Sequence, residues 1–303
     1  MIGLGRMGAN LLRRLAHAGF PVCGYDVSSS ACAALASERG ITVAASLATA
    51  VGALRAPRAV WIMLPSGEVT ERTVQAVAAL LAPGDVIIDG GNTDYHDTVR
   101  RAAELRARGL HFIDVGVSGG VWGLENGFGL MFGGPSAAVD PLLPLFQALA
   151  PAKDRGWVHC GPSGSGHFSK MVHNGIEYGL MQSYAEGFAL LRAKSEFALD
   201  VGAIAEAWRH GTVVRSWLLD LAAAALREDA TLEGVAPLVA DSGEGRWTVR
   251  EGLDLGVPLP AIGAALNVRL ASQGRGDYAG RFLARLRKAF GGHAVAAANT
   301  LKK

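Results

Sequence analysis

Gly3-Leu4-Gly5-Arg6-Met7-Gly8 opens the chain, with only Met1 and Ile2 before it. Glycines at this spacing permit a tight turn, a close backbone approach to a pyrophosphate, and close packing of a helix on a strand. Alone the pattern is weak, and its surroundings decide the fold. Met7–Ala18 has helical spacing, Val22–Tyr25 is a strand-like run, and Asp26 ends that run. It lies roughly 20 residues beyond the motif, where an acid binds a ribose 2′-hydroxyl. Phosphates would sit on the amides of Gly5, Arg6 and Met7 at the helix N-terminus. A carboxylate at 26 repels a 2′-phosphate and so predicts NAD over NADP, although Arg6 could partly accept that phosphate. Asp26 also reads as a helix N-cap shared with Ser28. The first strand is shorter than the ~5 residues typical of strands. We therefore expect a few native N-terminal residues to be absent, or else a sheet weakened at its centre.

Working outward, Ala59–Leu64, Val86–Asp89 and His111–Val115 read as further buried strands. Glu68–Leu81 and Thr98–Arg108 read as helices between them, and this alternation predicts a parallel sheet wrapped by helices. After Gly161-Pro162-Ser163-Gly164-Ser165-Gly166 the strand-like runs vanish. A long helix is expected from about Ser165 to about Lys194, with others at Val201–His210, Val214–Arg227, Trp247–Leu255, Leu259–Ala271 and Asp277–Phe290. The expected fold is an α/β Rossmann-like dinucleotide-binding domain over 1–162, followed by an all-α domain over 163–303.

Bulk composition narrows the function classes. Of 303 residues, 50% are hydrophobic and 18% charged, and the net charge is +2, a balance that implies neither a nucleic-acid nor an acidic-membrane partner. No apolar run is long enough to span a bilayer and no leader pattern is visible, so a cytoplasmic protein is expected. Cys23, Cys32 and Cys160 fit no disulfide or metal spacing and read as buried small hydrophobes. His159-Cys160, His167 and His173 lack paired short spacings, and no metal is expected.

Chemistry concentrates in Lys170-Met-Val-His173-Asn174-Gly-Ile-Glu177-Tyr178. On a helix, positions 170, 174 and 177 fall within about 60° of one another, flanked by 173 and 178. One face would then carry a base, an amide and an acid, though a solvated surface face is the bland alternative. Asp89-Gly90-Gly91-Asn92-Thr93 and Gly116-Val117-Ser118-Gly119-Gly120 each follow a strand, at the carboxyl ends where open α/β sheets bind ligands. Asn92 and Ser118 can hydrogen-bond hydroxyls or a carboxylate.

Together with Met63-Leu64-Pro65 and Gly243-Glu244-Gly245-Arg246-Trp247-Thr248, these segments resemble the 6-phosphogluconate dehydrogenase family of the β-hydroxyacid dehydrogenase group. Length, glycine motif and Asp26 are similar to its short, mostly bacterial, NAD-preferring branch. The resemblance implies oxidative decarboxylation of 6-phosphogluconate to ribulose 5-phosphate. It makes Lys170 the general base, acting as a neutral amine, and Glu177 the general acid. Asn92, Ser118, Gly119, Gly120, His173 and Asn174 are implied substrate contacts, with Asn174 also catalytic. Met63, Leu64, Pro65 and Asn92 are implied at the cofactor, beside Gly3, Gly5, Arg6, Met7, Gly8 and Asp26. Tyr178 and Arg269 match positions that hold the substrate phosphate. Arg287 and His293 match a tail that reaches a neighbouring subunit's site, which implies a homodimer or homotetramer; in isolation Arg287 reads equally as a solvated helix face. Ser242 and Glu244 stand where longer enzymes have Lys and Thr, so phosphate contacts are not expected from them.

Overall fold

The computed structural model describes residues 1–291, 294 and 295. Its contacts group into one unit, Met1–His173, and a second that begins at Asn174.

The first unit contains strands β1 (Val22–Gly24), β2 (Ile41–Val43), β3 (Ala59–Ile62), β4 (Val86–Asp89), β5 (His111–Ser118), β6 (Gly129–Gly133) and β7 (Trp157–Gly161). β1 pairs with β2, and the others run in the order β3-β4-β5-β6-β7. Ile2 bridges both sets, in parallel with Tyr25 on one side and Ile62 on the other. Its backbone donates to Trp61 O at 2.7 Å and accepts from Met63 N at 2.8 Å, while Gly3 N donates to Tyr25 O at 2.9 Å. The short first strand thus holds the central position.

The expectation of a wholly parallel sheet needs correction, because β6 runs antiparallel to β5 and β7 lies parallel to β6. Only the short segment 119–128 joins β5 to β6, too little for the crossover a parallel neighbour requires. β2, β6 and β7 escaped the sequence reading: β2 is only three residues long, and β6 and β7 carry glycine, cysteine or histidine among their apolar residues.

Helices α1 (Arg6–His17), α2 (Ser29–Ala36), α3 (Leu47–Gly52), α4 (Glu68–Ala78), α5 (Tyr95–Arg106), α6 (Gly123–Asn126), α7 (Ser136–Val139), α8 (Leu143–Leu149) and α9 (Ser165–Ala193) complete this part, with α9 continuing past His173. Side chains of Ser28, Ser46 and Asp94 cap α2, α3 and α5. Consecutive strand residues enter different cores: Trp61, Ile88 and Ile113 join Phe128, Phe132 and Phe146, whereas Val60, Ile62, Ile87 and Phe112 join Val74, Val77 and Leu105. A period of two with both faces apolar is what a sheet covered by helices on both sides demands. Each buried branched or aromatic side chain there contributes about 1.5–3 kcal/mol.

The second unit holds the rest of α9 and then α10 (Val201–Trp208), α11 (Trp217–Glu228), α12 (Glu244–Asp254), α13 (Pro260–Ser272) and α14 (Asp277–Gly291), with no strand among the described residues. Asp200 and Ser216 cap α10 and α11. The fold is therefore Rossmann-like α/β followed by a helical region. Of the cysteines expected to be buried, only Cys23 is; Cys32 and Cys160 are partly exposed. Cys32 sits on the first turns of α2, where its thiol donates to Asp26 O at 3.4 Å.

Candidate active site

The glycine loop is shaped by contacts no side chain could tolerate. Gly3 has φ 93°, and a Cβ there would lie 2.4 Å from Met63 O; at Gly8 it would lie 1.9 Å from Gly3 O. Nothing lies within 4 Å of the Gly5 position, which leaves an exposed opening at the start of α1. The first turn of α1 carries no acidic residue, so amides and helix dipole offer an unopposed positive end. Gly5, Arg6 and Met7 line this end, the first two exposed.

Asp26 is tied to the same loop. Its carboxylate accepts from Leu4 N at 2.6 Å and from Ser28 N at 2.8 Å. Ser28, not Asp26, caps α2, with its hydroxyl accepting from Ala31 N at 3.3 Å. The capping alternative is thus removed, and each Asp26 oxygen keeps a lone pair for a diol.

Met63 and Leu64 lie between the glycine loop and the loop after β4, because a Cβ on Gly91 would stand 2.5 Å from Leu64 O. Pro65 is exposed beside them and its carbonyl accepts from Thr70 Oγ1 at 2.7 Å. Asn92 is exposed between buried Gly91 and Thr93. Asp89 holds that loop by accepting from Gly91 N at 3.1 Å and Thr93 Oγ1 at 3.0 Å. Behind it, Arg101 Nη1 lies 3.5 Å away, both side chains almost fully buried. Sequence reading missed Asp89 and Arg101 as supports, although an Asp-Gly-Gly turn after a strand and an arginine facing a buried helix side were available signals.

Ser118 ends β5, and Gly119 and Gly120 follow with φ 129° and 53°, backbone that glycine adopts without strain. Lys170 is 8% exposed. Its stem lies against bare backbone, since a Cβ on Gly116 would fall 2.2 Å from Lys170 Cβ. Lys170 Nζ stands 3.4 Å from His173 Nδ1. His159 and His167 are engaged elsewhere, with Gly134 O and with Thr98 Oγ1. Among the described residues no group of His, Cys, Asp and Glu could hold a metal ion.

Along α9, Asn174 and Tyr178 are buried and Glu177 is partly so. Regular helix places 170, 174 and 177 along one side over about 10 Å. Gly175 lets Thr248 approach, with Thr248 Cγ2 2.6 Å from where a Cβ would stand, and Gly245 does the same for the Tyr178 ring at 2.4 Å. The Arg269 guanidinium stacks 3.6 Å from the centre of that ring. The Tyr178 hydroxyl is buried without a hydrogen-bond partner, so phenol and guanidinium together retain donors for an anion. Ser242 Oγ donates to buried Glu244 at 2.6 Å, and this pair closes on itself. Arg287 is exposed on α14. His293 lies outside the described residues.

Known proteins align with this arrangement over most of the chain. The NAD binding domain of 6-phosphogluconate dehydrogenase matches residues 1–161, and the C-terminal domain of 6-phosphogluconate dehydrogenase matches residues 166–291. An NAD(+)-dependent, decarboxylating 6-phosphogluconate dehydrogenase from Haloferax volcanii is 43% identical over 98% of this chain and 97% of its own. The decarboxylating 6-phosphogluconate dehydrogenase of Synechococcus elongatus is 38% identical over 90% of this chain, but the match spans only 61% of that longer protein. The solved 6-phosphogluconate dehydrogenase of Plasmodium falciparum, studied with NADP+ and with 6-phosphogluconate, superposes with a TM-score of 0.82 at 25% identity, covering 99% of this chain and 66% of that one. The chain belongs to the 6-phosphogluconate dehydrogenase family.

Proposed function

We propose that this chain oxidatively decarboxylates 6-phosphogluconate to ribulose 5-phosphate and carbon dioxide, with NAD as the preferred oxidant. One observation carries the reading: Lys170, Asn174 and Glu177 follow one another along a single side of α9, with Tyr178, the residue after Glu177, stacked on Arg269. That order matches a substrate that needs a base at one carbon, an acid at a neighbouring one and a cationic hold on a terminal phosphate. Asn92, Ser118, Gly119, Gly120, His173 and Asn174 hold its hydroxyls and carboxylate.

The open Gly5 position, the acid-free start of α1 and the tethered Asp26 suit a dinucleotide. Bound there, NAD would supply the acceptor for the hydride that leaves substrate C3. Lys170, as the neutral amine, takes the C3 hydroxyl proton, which leaves a β-keto acid. Loss of carbon dioxide places a pair of electrons on C2 and the C3 oxygen. The Lys170 ammonium stabilises that oxygen. Glu177 then delivers a proton to the carbon that becomes C1 of the product. A carboxylate at Asp26 meets the 2′-hydroxyl of NAD and repels the 2′-phosphate of NADP.

The reading extends to a cytoplasmic homodimer or homotetramer, in which Arg287 and His293 serve a neighbouring copy's site. Removing residues from Arg287 onward should raise the KM for 6-phosphogluconate far more than that for NAD. The deciding assay follows NADH and trapped carbon dioxide from 6-phosphogluconate with NAD, with NADP in parallel. Equal yields with NAD favoured are expected. NADH without carbon dioxide would move the chain to a non-decarboxylating reaction, and a preference for NADP would overturn the role of Asp26.

A further inference from the structure

We propose that Asp114 and Gly116 are positioning residues for Lys170, the carboxylate anchoring the first turn of α9 to β5 and the bare glycine seating the next turn on the strand. The inference rests on the reading of Lys170 as the base. Residues 114 and 116 share one face of β5 because strand side chains alternate with a period of two. Asp114 is fully buried. Its carboxylate accepts from Gly164 N at 2.6 Å and His167 N at 2.8 Å, the amides at the start of α9. One turn on, Lys170 Cβ occupies the space that a Gly116 side chain would need, at 2.2 Å.

Two features separate this contact from an ordinary helix cap. No local side chain caps α9, because Gly164 stands at the cap position, accepting from Phe168 N at 2.9 Å, and the hydroxyl of Ser165 just inside the helix is buried without a hydrogen-bond partner. The helix is instead capped from a strand some 50 residues away in sequence, and such a bond fixes the helix to the sheet as well as ending it. Burial also pushes the Asp114 carboxyl up, against the pull of His167 and the two amides, so this cap carries a cost that a solvent-exposed one would not.

The seat is tight on every side. A Cβ on Gly166 would meet Met131 O at 2.6 Å and Asp114 O at 2.7 Å, and one on Gly133 would meet Asp114 Oδ1 at 2.7 Å. From α5, Thr98 Oγ1 braces His167 Nδ1 at 2.7 Å. A base held in such a socket is sensitive to small displacement, and about 1 Å of misplacement costs ~10²-fold in rate.

The test uses the full chain and three variants, Gly116→Ala, Asp114→Asn and Lys170→Met. Steady-state kinetics and melting are measured alongside acetylation of Lys170 by acetic anhydride, scaled to the exposed Lys153 and Lys194. Gly116→Ala should lower kcat by ~10²-fold, hold the NAD KM, and speed Lys170 acetylation as the helix lifts from the strand. Asp114→Asn fits the same space with one fewer acceptor and should lower kcat by about tenfold, with labelling moving the same way. It decides the matter if Gly116→Ala does not fold. Parental labelling in the folded variants, whether kcat is unchanged or falls with the melting temperature, overturns the positioning role. Faster labelling with unchanged kcat, together with turnover by Lys170→Met, overturns the base assignment and leaves the positioning contact standing.

Discussion

The two units solve the burial problem differently. In the first, β3, β4 and β5 send alternate residues into two separate cores, and Ile62, Ile87, Phe112, Phe132 and Phe146 are essentially without exposure. In the second, the cluster formed by Tyr178, Ala265 and Leu266 is small. Val213, Trp217, Leu221, Leu253, Leu255 and Phe282 remain exposed there. A sheet covered on both faces completes its own core, whereas a set of amphipathic helices leaves apolar surface for something else to cover. In the proposed enzyme the base stands on the first unit, while the acid, the phenol and Arg269 belong to the second.

The sharpest break is chemical. Lys170→Met should reduce turnover by about ten-thousandfold, the upper range for a lost general base, while NAD affinity, titrated by fluorescence, stays parental. Retention of more than a few per cent of the rate would remove Lys170 from the mechanism. Glu177→Gln is expected to lose less, on the order of 10²-fold, because only the protonation step depends on it. Carbon dioxide release matching NADH formation in that variant would place its defect after decarboxylation.

Packing gives the next largest effect. Phe132 stacks on Phe146 with ring centres 4.2 Å apart and has no exposure, so Phe132→Ala should cost about 4 kcal/mol. Leu266→Ala, in the small helical cluster, should cost about 2 kcal/mol. Urea unfolding checks both, and equal losses would contradict the contrast between the units. Phe282→Glu, on the exposed face of α14, should weaken self-association by about 10- to 100-fold in sedimentation runs with little loss of monomer stability. An unchanged assembly would show that the apolar surface of α14 is covered by something other than another copy.

What could be read from sequence divides along the range of the contacts. The glycine loop before α1, the spacing to Asp26 and the long helix from Ser165 that carries Lys170 to Tyr178 are local patterns, and the structure has these elements where the residues suggested. Strand direction is not local: Gly129–Gly133 has the same apolar character whichever way it runs, and only the short connection from Gly119 to Phe128 turns it antiparallel. The supports were hidden for the same reason. Asp89 and Asp114 are register partners on neighbouring strands, yet their partners Arg101, Gly164 and His167 are distant in sequence. A buried aspartate inside a strand signals that a partner exists without saying which. Cys32 and Cys160 misled because burial of a small side chain depends on neighbours that the local sequence does not specify.

The smallest predicted effect concerns charge, and it separates the units by size and salt. Glu71 of α4 accepts from Arg100 at 2.6 Å and from Arg101 at 2.8 Å. Chiefly through the Arg100 bond, with Arg101 adding to it against the opposing effect of burial, its carboxyl is held down at about 2. A depressed acid stabilises the fold fully above its ordinary value of 4.5, and that contribution is lost as pH falls toward about 2. Glu71→Gln should therefore lower stability by about 1 kcal/mol at neutral pH, once solvent screening of a partly exposed pair is allowed for. Its deficit against the parent should shrink as the pH is taken below the ordinary carboxylate range. Glu206 of α10 is also held down, first by Arg209 and then by His210 and Arg227, but its side chain is more exposed, 38% against 30% for Glu71. Glu206→Gln should shift the urea midpoint least of all, and added salt should erase the shift, because exposed charges are screened within about 10 Å at moderate ionic strength. If salt erased the Glu71 effect equally, the pair under α5 would be no better protected than a surface bridge, and the first unit's advantage would rest on its apolar core alone.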